Sequence, residues 1–593
     1  MGLFYEFFDI ILFKIIVVVI NLKEVLMDTK ITADIILLHA PSVYDFRKYD
    51  EIIFGGLAES DSVNVTPMFE MYPLGFLVIK SYLEQHGLKV EIINIASLML
   101  QHPKLNVEKL IKKLVSPVFG IDIHWMNHSH GAIEIASLVK KNFPDSMTIM
   151  GGISSTYYSK ELLAYPQVDM VIKGYDPLEP LKQVASSVKK GHLANFKNIS
   201  NLVYRDSKGS IQNTGFGYKP PSFDNAPIDW SYFKTKNTSL LNMPTLLMLT
   251  NAGCAHNCGW CGGSQFSYKN IMKVKKKQSI SFRSMEHVKK EINSINKLDI
   301  PISIYSLQAY SENKQRLLQY FDSISQVDSI HSVHLELFDL LDISFMKQLA
   351  EKSKLIINLS PESHDLEISK LAGRGTYSMD EMEKWINQVL DMGIKGVYIW
   401  FMTGMPKQTP ESILETAEYC KKLMARFQYK PVVPTITPMA PFLDPGSQFF
   451  EDPPKYGYHL FLKTLEAHRQ ALIQPRWQDR FNYETKWLPR ELFLDCIYSA
   501  ISKMTEYKGE NALIRPAHVK RIQDRLTKTV NLLKTTSQIY EKEKKLPDDI
   551  KQEIHRHNQE TLSYSSDSIF SIKQSIGNRW FDDYTVPKEL IGM

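Results

Sequence analysis

The stretch "PTLLMLTNAGCAHNCGWCGGS", Pro244 to Ser264, decides how this chain is read. Its first half is a short, continuous apolar run, which suits a buried strand of a parallel sheet. Its second half sets Cys254, Cys258 and Cys261 at a Cys-x3-Cys-x2-Cys spacing, in a chain that has only five cysteines. Thiolates at this density bind soft metal. Structural zinc normally takes four ligands, usually from paired knuckles. Cys420 and Cys496 stand alone and read as small core residues, and His256 inside the loop is cramped for a zinc ligand. Three thiolates without an evident fourth suggest a cubane iron–sulfur cluster with one iron left open.

Working outward, the strand before the cysteines opens an alternating block. "ISIYSL" (Ile302 to Leu307), "VHLELF" (Val333 to Phe338), "KLIINLS" (Lys354 to Ser360), "GVYIWFMTG" (Gly396 to Gly404) and "VVPTITPM" (Val432 to Met439) follow, most of them separated by helical stretches. Six strands predict a partial (β/α) barrel, with chemistry in the loops after the strands. Upstream, "ADIILLHAP" (Ala33 to Pro41), "KVEIINI", "VFGIDIHW" (Val118 to Trp125), "MTIMGG" (Met147 to Gly152) and "VDMVIKG" (Val168 to Gly174) interleave with helices. That pattern predicts an α/β, doubly wound (Rossmann-like) sheet with its ligand at the strand C-terminal ends. The expected divisions are an apolar extension (1–27), the doubly wound domain (28–190), a polar linker with one hairpin (191–243), the barrel (244–450) and a mostly helical C-terminal region (451–593).

The bulk numbers exclude several classes. With 593 residues the chain exceeds one core. A net charge of +5, mostly alternating in sign, gives no basic face for nucleic acid; "KVKKKQ" (Lys273 to Gln278) reads as a solvated loop, with an anionic substrate or partner as the alternative. Clustered cysteines in so small a number do not form a disulfide framework, and reduced cytoplasm fits better. The apolar N-terminus carries Glu6, Asp9 and Lys14 and lacks a basic start and a cleavage site, so no signal peptide is expected. Three readings of it stay open: an extension upstream of Met27, a helix packed on the body or a partner, and a membrane-surface anchor.

Cys254, Cys258 and Cys261, with Trp260 before the last of them, resemble the signature of radical S-adenosylmethionine (SAM) enzymes. "SPESHDLEISKLAGRGTYSMDEM" (Ser360 to Met382) resembles the family's segment after the fourth barrel strand, which implies that Glu362 and Arg374 contact SAM. The bland alternative for this pair is a surface ion pair or helix cap. "GMPKQTPES" (Gly404 to Ser412) resembles the turn after the fifth strand, placing Gly404 near the adenosine. The glycine–glycine–glutamate motif that holds the SAM amino group is not visible in "SLQAYSEN".

The domain before the barrel resembles the cobalamin-binding domain of a large radical SAM subgroup. Its matching features are the Pro73–Leu74–Gly75 turn, the "GIDIHW" strand, Gly151–Gly152 and "KGYDPLEPL" with Gly174 and Glu179. The resemblance implies that Gly151, Gly152, Gly174 and His124 line the cofactor. "DIHWMN" (Asp122 to Asn127) nearly spells the Asp-x-His-x-x-Gly motif that ligates cobalt in other cobalamin proteins. It follows the third strand instead of the first, so cobalamin is expected without a protein histidine, with Tyr44 and Arg47 as weaker candidates for its lower face.

The resemblance implies three cofactors: a 4Fe-4S cluster, SAM and cobalamin. It also implies a small-molecule substrate and a reductant such as flavodoxin or ferredoxin. The implied activity is methyl transfer to an unactivated carbon through a 5′-deoxyadenosyl radical, with ring contraction or oxidative cyclisation as the alternative. A cofactor-binding sensor without turnover is the remaining reading.

Overall fold

The computed structural model describes residues 30–53, 74–101, 104–191, 193–218, 228–230, 245–248, 250–274, 280–298, 302–306, 313–439 and 441–560. The apolar extension, the Pro73 end of the Pro73–Leu74–Gly75 turn, most of "KVKKKQ" and residues 307–312 of "SLQAYSEN" lie outside them.

The first domain is built on a seven-stranded sheet. In chain order its strands are β1 (Ile35–His39), β2 (Val90–Asn94), β3 (Val118–Asp122), β4 (Met147–Gly151), β5 (Met170–Ile172), β6 (Leu202–Arg205) and β7 (Ile211–Asn213). The spatial order is β2-β1-β3-β4-β5-β6-β7, with the first five parallel and the last two antiparallel. β1 is buried along its whole length because both faces are covered: Ile35 and Leu37 join one core, Ile36 and Leu38 another. The chain reverses direction across the sheet between β1 and β3, the switch point at which such sheets bind ligands. The expected linker yields its first part to this sheet. Residues 202–213 form a hairpin whose first strand extends the edge next to β5, where a polar, turn-rich segment still meets an apolar neighbour.

The second domain is a six-stranded, all-parallel sheet in sequential order: β8 (Thr245–Met248), β9 (Ile302–Ser306), β10 (Ile330–Leu337), β11 (Leu355–Glu362), β12 (Gly396–Thr403) and β13 (Val432–Pro438). Its helices start where the sequence caps them. Ser378 and Glu381 form a reciprocal capping box, and Thr409 caps the helix Pro410–Arg426 with proline in its first turn.

The C-terminal region joins the two domains. Phe442, Leu465, Ala471 and Leu472 pack in the core on one face of the first sheet, whereas Phe449 and Phe450 join the core shared with the barrel. Arg480 donates to the carbonyl of Ile53, and Arg469 pairs with Glu134. The helix Arg490–Glu510 packs against Pro410–Arg426. No described helix is long and apolar enough to cross a membrane.

Candidate active site

The cysteine loop follows β8 and lies between the two strands of a short antiparallel pair, Asn251–Gly253 and Ile280–Phe282. It is clamped from two sides. The Gly259 N–H donates to the carbonyl of Ala372, and a Cβ on Gly373 would stand 2.5 Å from the carbonyl oxygen of Asn257. On the other side, a Cβ on Gly259 would meet the Phe449 ring at 2.2 Å. Only glycine lets the backbone pass so close.

Burial pushes the thiols of Cys254, Cys258 and Cys261 up, Cys258 to about 12. Held neutral, such thiols ionise when a metal replaces their protons. All three are free, and the ring of His256 within the same loop meets Phe338 edge-on at 4.7 Å.

Glu362 and Arg374 come together beside this loop. Glu362 ends β11 at an irregularity in the pairing with β12, with a left-handed φ of 66°. That conformation is strained for a residue with a side chain and collects at functional sites. Arg374 Nε donates to Glu362 Oε1 at 3.2 Å, and its guanidinium lies 3.5 Å from the centre of the Phe338 ring. The pair is 5% and 3% exposed, so it is no surface ion pair. Burial raises the Glu362 carboxyl against the pull of Arg374. Burial also opposes the Arg374 charge, but Cys258 and the carboxylates of Glu362 and Glu336 outweigh it and hold its pKa above the ordinary value. Arg374 Nη1 is buried without a hydrogen-bond partner among the described residues. An orphaned guanidinium donor of this kind fits an anionic ligand.

The turn after β12 is pinned internally. Gln408 accepts from the Met405 N–H at 2.8 Å and donates to the carbonyl of Met402. Gly404 has a φ of 97°, and what lies against it is the C-terminal region: Tyr458 donates to its carbonyl, and a Cβ would stand 2.3 Å from Tyr483 Oη.

The barrel's inner face carries Ile356, Tyr398, Val433 and Trp400 together with Asn358 and Thr437. Trp400 donates to Asn358 Oδ1 at 3.2 Å, while Asn358 Nδ2 and Thr437 Oγ1 are buried without partners among the described residues. These polar groups inside the barrel were not anticipated from the sequence.

At the switch point of the first sheet, His124 follows β3 and bonds through Nδ1 to Asp122. His39, the last residue of β1, bonds to the same carboxylate at 3.0 Å. His39 was hidden in the sequence as the end of an apolar run. Histidines 128 and 130 serve local structure: His128 donates to the carbonyl of Ala40, and His130 accepts from the Tyr44 N–H. Arg47 is spent on Asp45 and the carbonyl of Leu105.

Gly152 touches the loop bearing His124, since a Cβ there would stand 2.6 Å from the His124 backbone. Gly151 has nothing within 4 Å of that position, which leaves room for a bulky ligand. Gly174 has a φ of 101° and donates through its N–H to Thr156 Oγ1.

The two loop systems meet. Trp125, next to His124, donates to Asp444 Oδ1 at 2.7 Å, and Asp444 Oδ2 accepts from the Gly262 N–H at 2.9 Å, one residue past Cys261. Tyr175, next to Gly174, packs its ring against Tyr268 behind the cysteine loop at 5.5 Å. Burial raises the Asp444 carboxyl, partly offset by these two donors.

Comparison with known proteins agrees with this division. Residues 61–179 match the model of the B12 binding domain and residues 248–420 that of the radical SAM superfamily. No curated protein sequence matches the chain. Among solved structures, the chain is similar to the radical SAM methyltransferase TsrM from Kitasatospora setae, solved with its tryptophan substrate and a SAM analogue. Identity is 13% and the TM-score 0.54, over 82% of this chain and 89% of that one. It is also similar to the cobalamin-dependent SAM radical enzyme OxsB, solved with aqua-cobalamin and SAM, at 13% identity and a TM-score of 0.55, over 94% and 84%. Both family models are matched in this order, in regions that the structure folds as the first sheet and the six-stranded barrel sheet, so the chain carries a region like the B12 binding domain followed by one like the radical SAM domain.

Proposed function

We propose that the protein is a cobalamin-dependent radical SAM methyltransferase acting on an unactivated carbon of a small molecule held between its two domains. The observation that carries this reading is the bridge Trp125–Asp444–Gly262, which sets the switch point of the first sheet directly against the cysteine loop of the barrel. Methyl transfer by a radical route requires the two cofactors to face one substrate.

Cys254, Cys258 and Cys261 would hold the cluster. Arg374, through its unpartnered Nη1, would take the SAM carboxylate, and Glu362 would orient the guanidinium. Gly151, Gly152, Gly174 and His124 would line the corrinoid. When bound, the cluster and SAM supply a 5′-deoxyadenosyl radical and cobalamin carries the methyl group. The chain's part is positioning and the exclusion of water. Tyr175, Tyr268 and Trp125 close the seam between the domains, and the C-terminal region covers the barrel turn at Gly404. The similarity to TsrM supports methyl transfer.

The test is anaerobic reconstitution with iron, sulfide, cobalamin, SAM and a strong reductant, followed by mass spectrometry of the SAM products. Methyl transfer yields both 5′-deoxyadenosine and S-adenosylhomocysteine. Deoxyadenosine without the homocysteine product would replace this reading by ring contraction or oxidative cyclisation. Neither product, with cluster and corrinoid both bound, would leave a sensor.

A further inference from the structure

We infer that Asp444 tunes the iron–sulfur cluster of the cysteine loop. Its carboxylate diverts the Gly262 N–H from the cluster's sulfurs and sets a negative charge next to Cys261, and both effects lower the cluster's reduction potential. The inference deepens the reading above and rests on its cluster.

Three observations carry it. The first is the use made of the loop's N–H groups. The His256 N–H donates to Cys254 Sγ at 3.4 Å, and the Gly263 N–H donates to Cys261 Sγ at 3.3 Å. The Gly262 N–H, adjacent to Cys261 in the chain, goes instead to Asp444 Oδ2 at 2.9 Å. Reduction adds an electron to a cluster, so donors to the sulfurs favour it and a neighbouring anion opposes it. A cluster held at lower potential gives up its electron more readily once reduced.

The second is the charge state of Asp444. Each of its oxygens accepts from a separate N–H, Oδ1 from Trp125 Nε1 at 2.7 Å and Oδ2 from Gly262. The side chain makes no other hydrogen bond and no ion pair among the described residues, so a carboxylic O–H would find no acceptor there. Two donors on two oxygens favour the anion. A neutral amide oxygen has two lone pairs, so docking two donors does not by itself require a charge.

The third is rigid placement. Asp444 follows β13 on a segment gripped by Asn482, which accepts from the Leu443 N–H at 2.7 Å and donates to the Leu443 carbonyl at 2.8 Å. The Asp444 carbonyl accepts from the Ser447 N–H at 3.0 Å. A Cβ on Gly262 would stand 3.2 Å from the Asp444 Cβ, so the glycine after Cys261 lets the carboxylate come close.

The experiment is a potentiometric titration of the full-length protein carrying its reconstituted cluster, read by electron paramagnetic resonance of the reduced cluster. Asp444→Asn removes the charge and keeps an acceptor for Trp125, and it shifts the midpoint to more positive potential. At a fixed potential the reduced-to-oxidised ratio rises about tenfold, which is about 59 mV for one electron. Trp125→Phe removes a donor, leaves the carboxylate less neutralised and shifts the midpoint the other way. Loosened packing between the loops would move both variants in one direction. Shifts of like sign, or an unchanged midpoint in either variant, would therefore overturn the inference. Where one variant takes up no cluster, the sign of the shift in the other decides. A wild-type chain that assembles no 4Fe-4S cluster would overturn the cluster reading itself, whereas unshifted midpoints would leave that reading standing.

Discussion

The two sheets read alike in sequence and behave differently in the structure. β1 and β11 are both fully buried strands in parallel surroundings. In β1 alternate residues go to two apolar cores, because helices and the C-terminal region cover both faces. In β11 only Leu355, Ile357 and Leu359 face such a core, while Ile356, Asn358 and Ser360 alternate with them and Asn358 bonds across to Trp400 on β12. An open sheet exposes its chemistry only at the strand ends, at His39, Asp122 and His124. A curled sheet can also place chemistry on its concave face. A cofactor domain of the first kind presents a ligand, and one of the second kind encloses it.

Six substitutions, taken in four groups, would break or sharpen that contrast. Cys258→Ala should abolish the cluster and with it all 5′-deoxyadenosine formation, read by iron content and product analysis, while corrinoid retention by the first sheet persists. Loss of both cofactors together would mean that the two sites do not fold independently.

Arg374→Ala leaves the Glu362 carboxyl buried without its partner, which should cost about 3–5 kcal/mol in denaturant unfolding. Glu362→Gln should be milder and should weaken SAM binding, because the guanidinium keeps a hydrogen-bond acceptor but loses the charge that orients it. A loss as large as that of Arg374→Ala would assign the pair to stability alone.

Leu37→Ala in the first sheet and Asn358→Ala in the barrel test the faces directly. The first removes packing from a closed core and should cost about 2–5 kcal/mol. The second should cost no more than about 1 kcal/mol, since Asn358 already has an unpartnered amide, and should lower turnover instead. Equal costs would show that the barrel interior is packed core.

Asp176, at the β5 end of the first sheet, gives the pH test. Burial raises its carboxyl from 3.8 to about 6, only partly offset by the Leu178 N–H, and Oδ2 has no partner. The folded state therefore holds the proton more tightly than the open chain does. The stabilisation is complete below the ordinary value of 3.8 and is lost as the pH rises through about 6. Asp176→Asn should flatten the stability profile between those limits and gain on the order of 2–3 kcal/mol at pH 8. An unchanged profile would mean that the carboxyl is solvated after all.

Much of the architecture was legible because it is written locally. Apolar runs with terminal glycines and prolines marked the five parallel strands of the first sheet and the six of the barrel, and three cysteines within eight residues marked the metal loop. Glu362 and Arg374 were singled out by the resemblance of their segment, but their buried pairing with each other across the helix Leu366–Leu371 was not legible. A hairpin was expected in the polar linker, but that its first strand, Leu202–Arg205, would join the first sheet beside β5 was not legible. His39 was hidden by its position at the end of a strand that otherwise reads as pure core.

By itself the sequence determined the thiolate triplet and the order of the B12-binding and radical SAM regions, since each depends on residue types at short, fixed spacings. The tertiary structure alone decided which groups share a site. His39 meets Asp122 across 83 residues and Trp125 meets Asp444 across 319, and no local spacing encodes either contact. Strand order and the packing of the C-terminal region against both sheets bring those positions together, and burial then makes each unpaired polar atom costly enough that its partners must be provided by the fold or by a ligand.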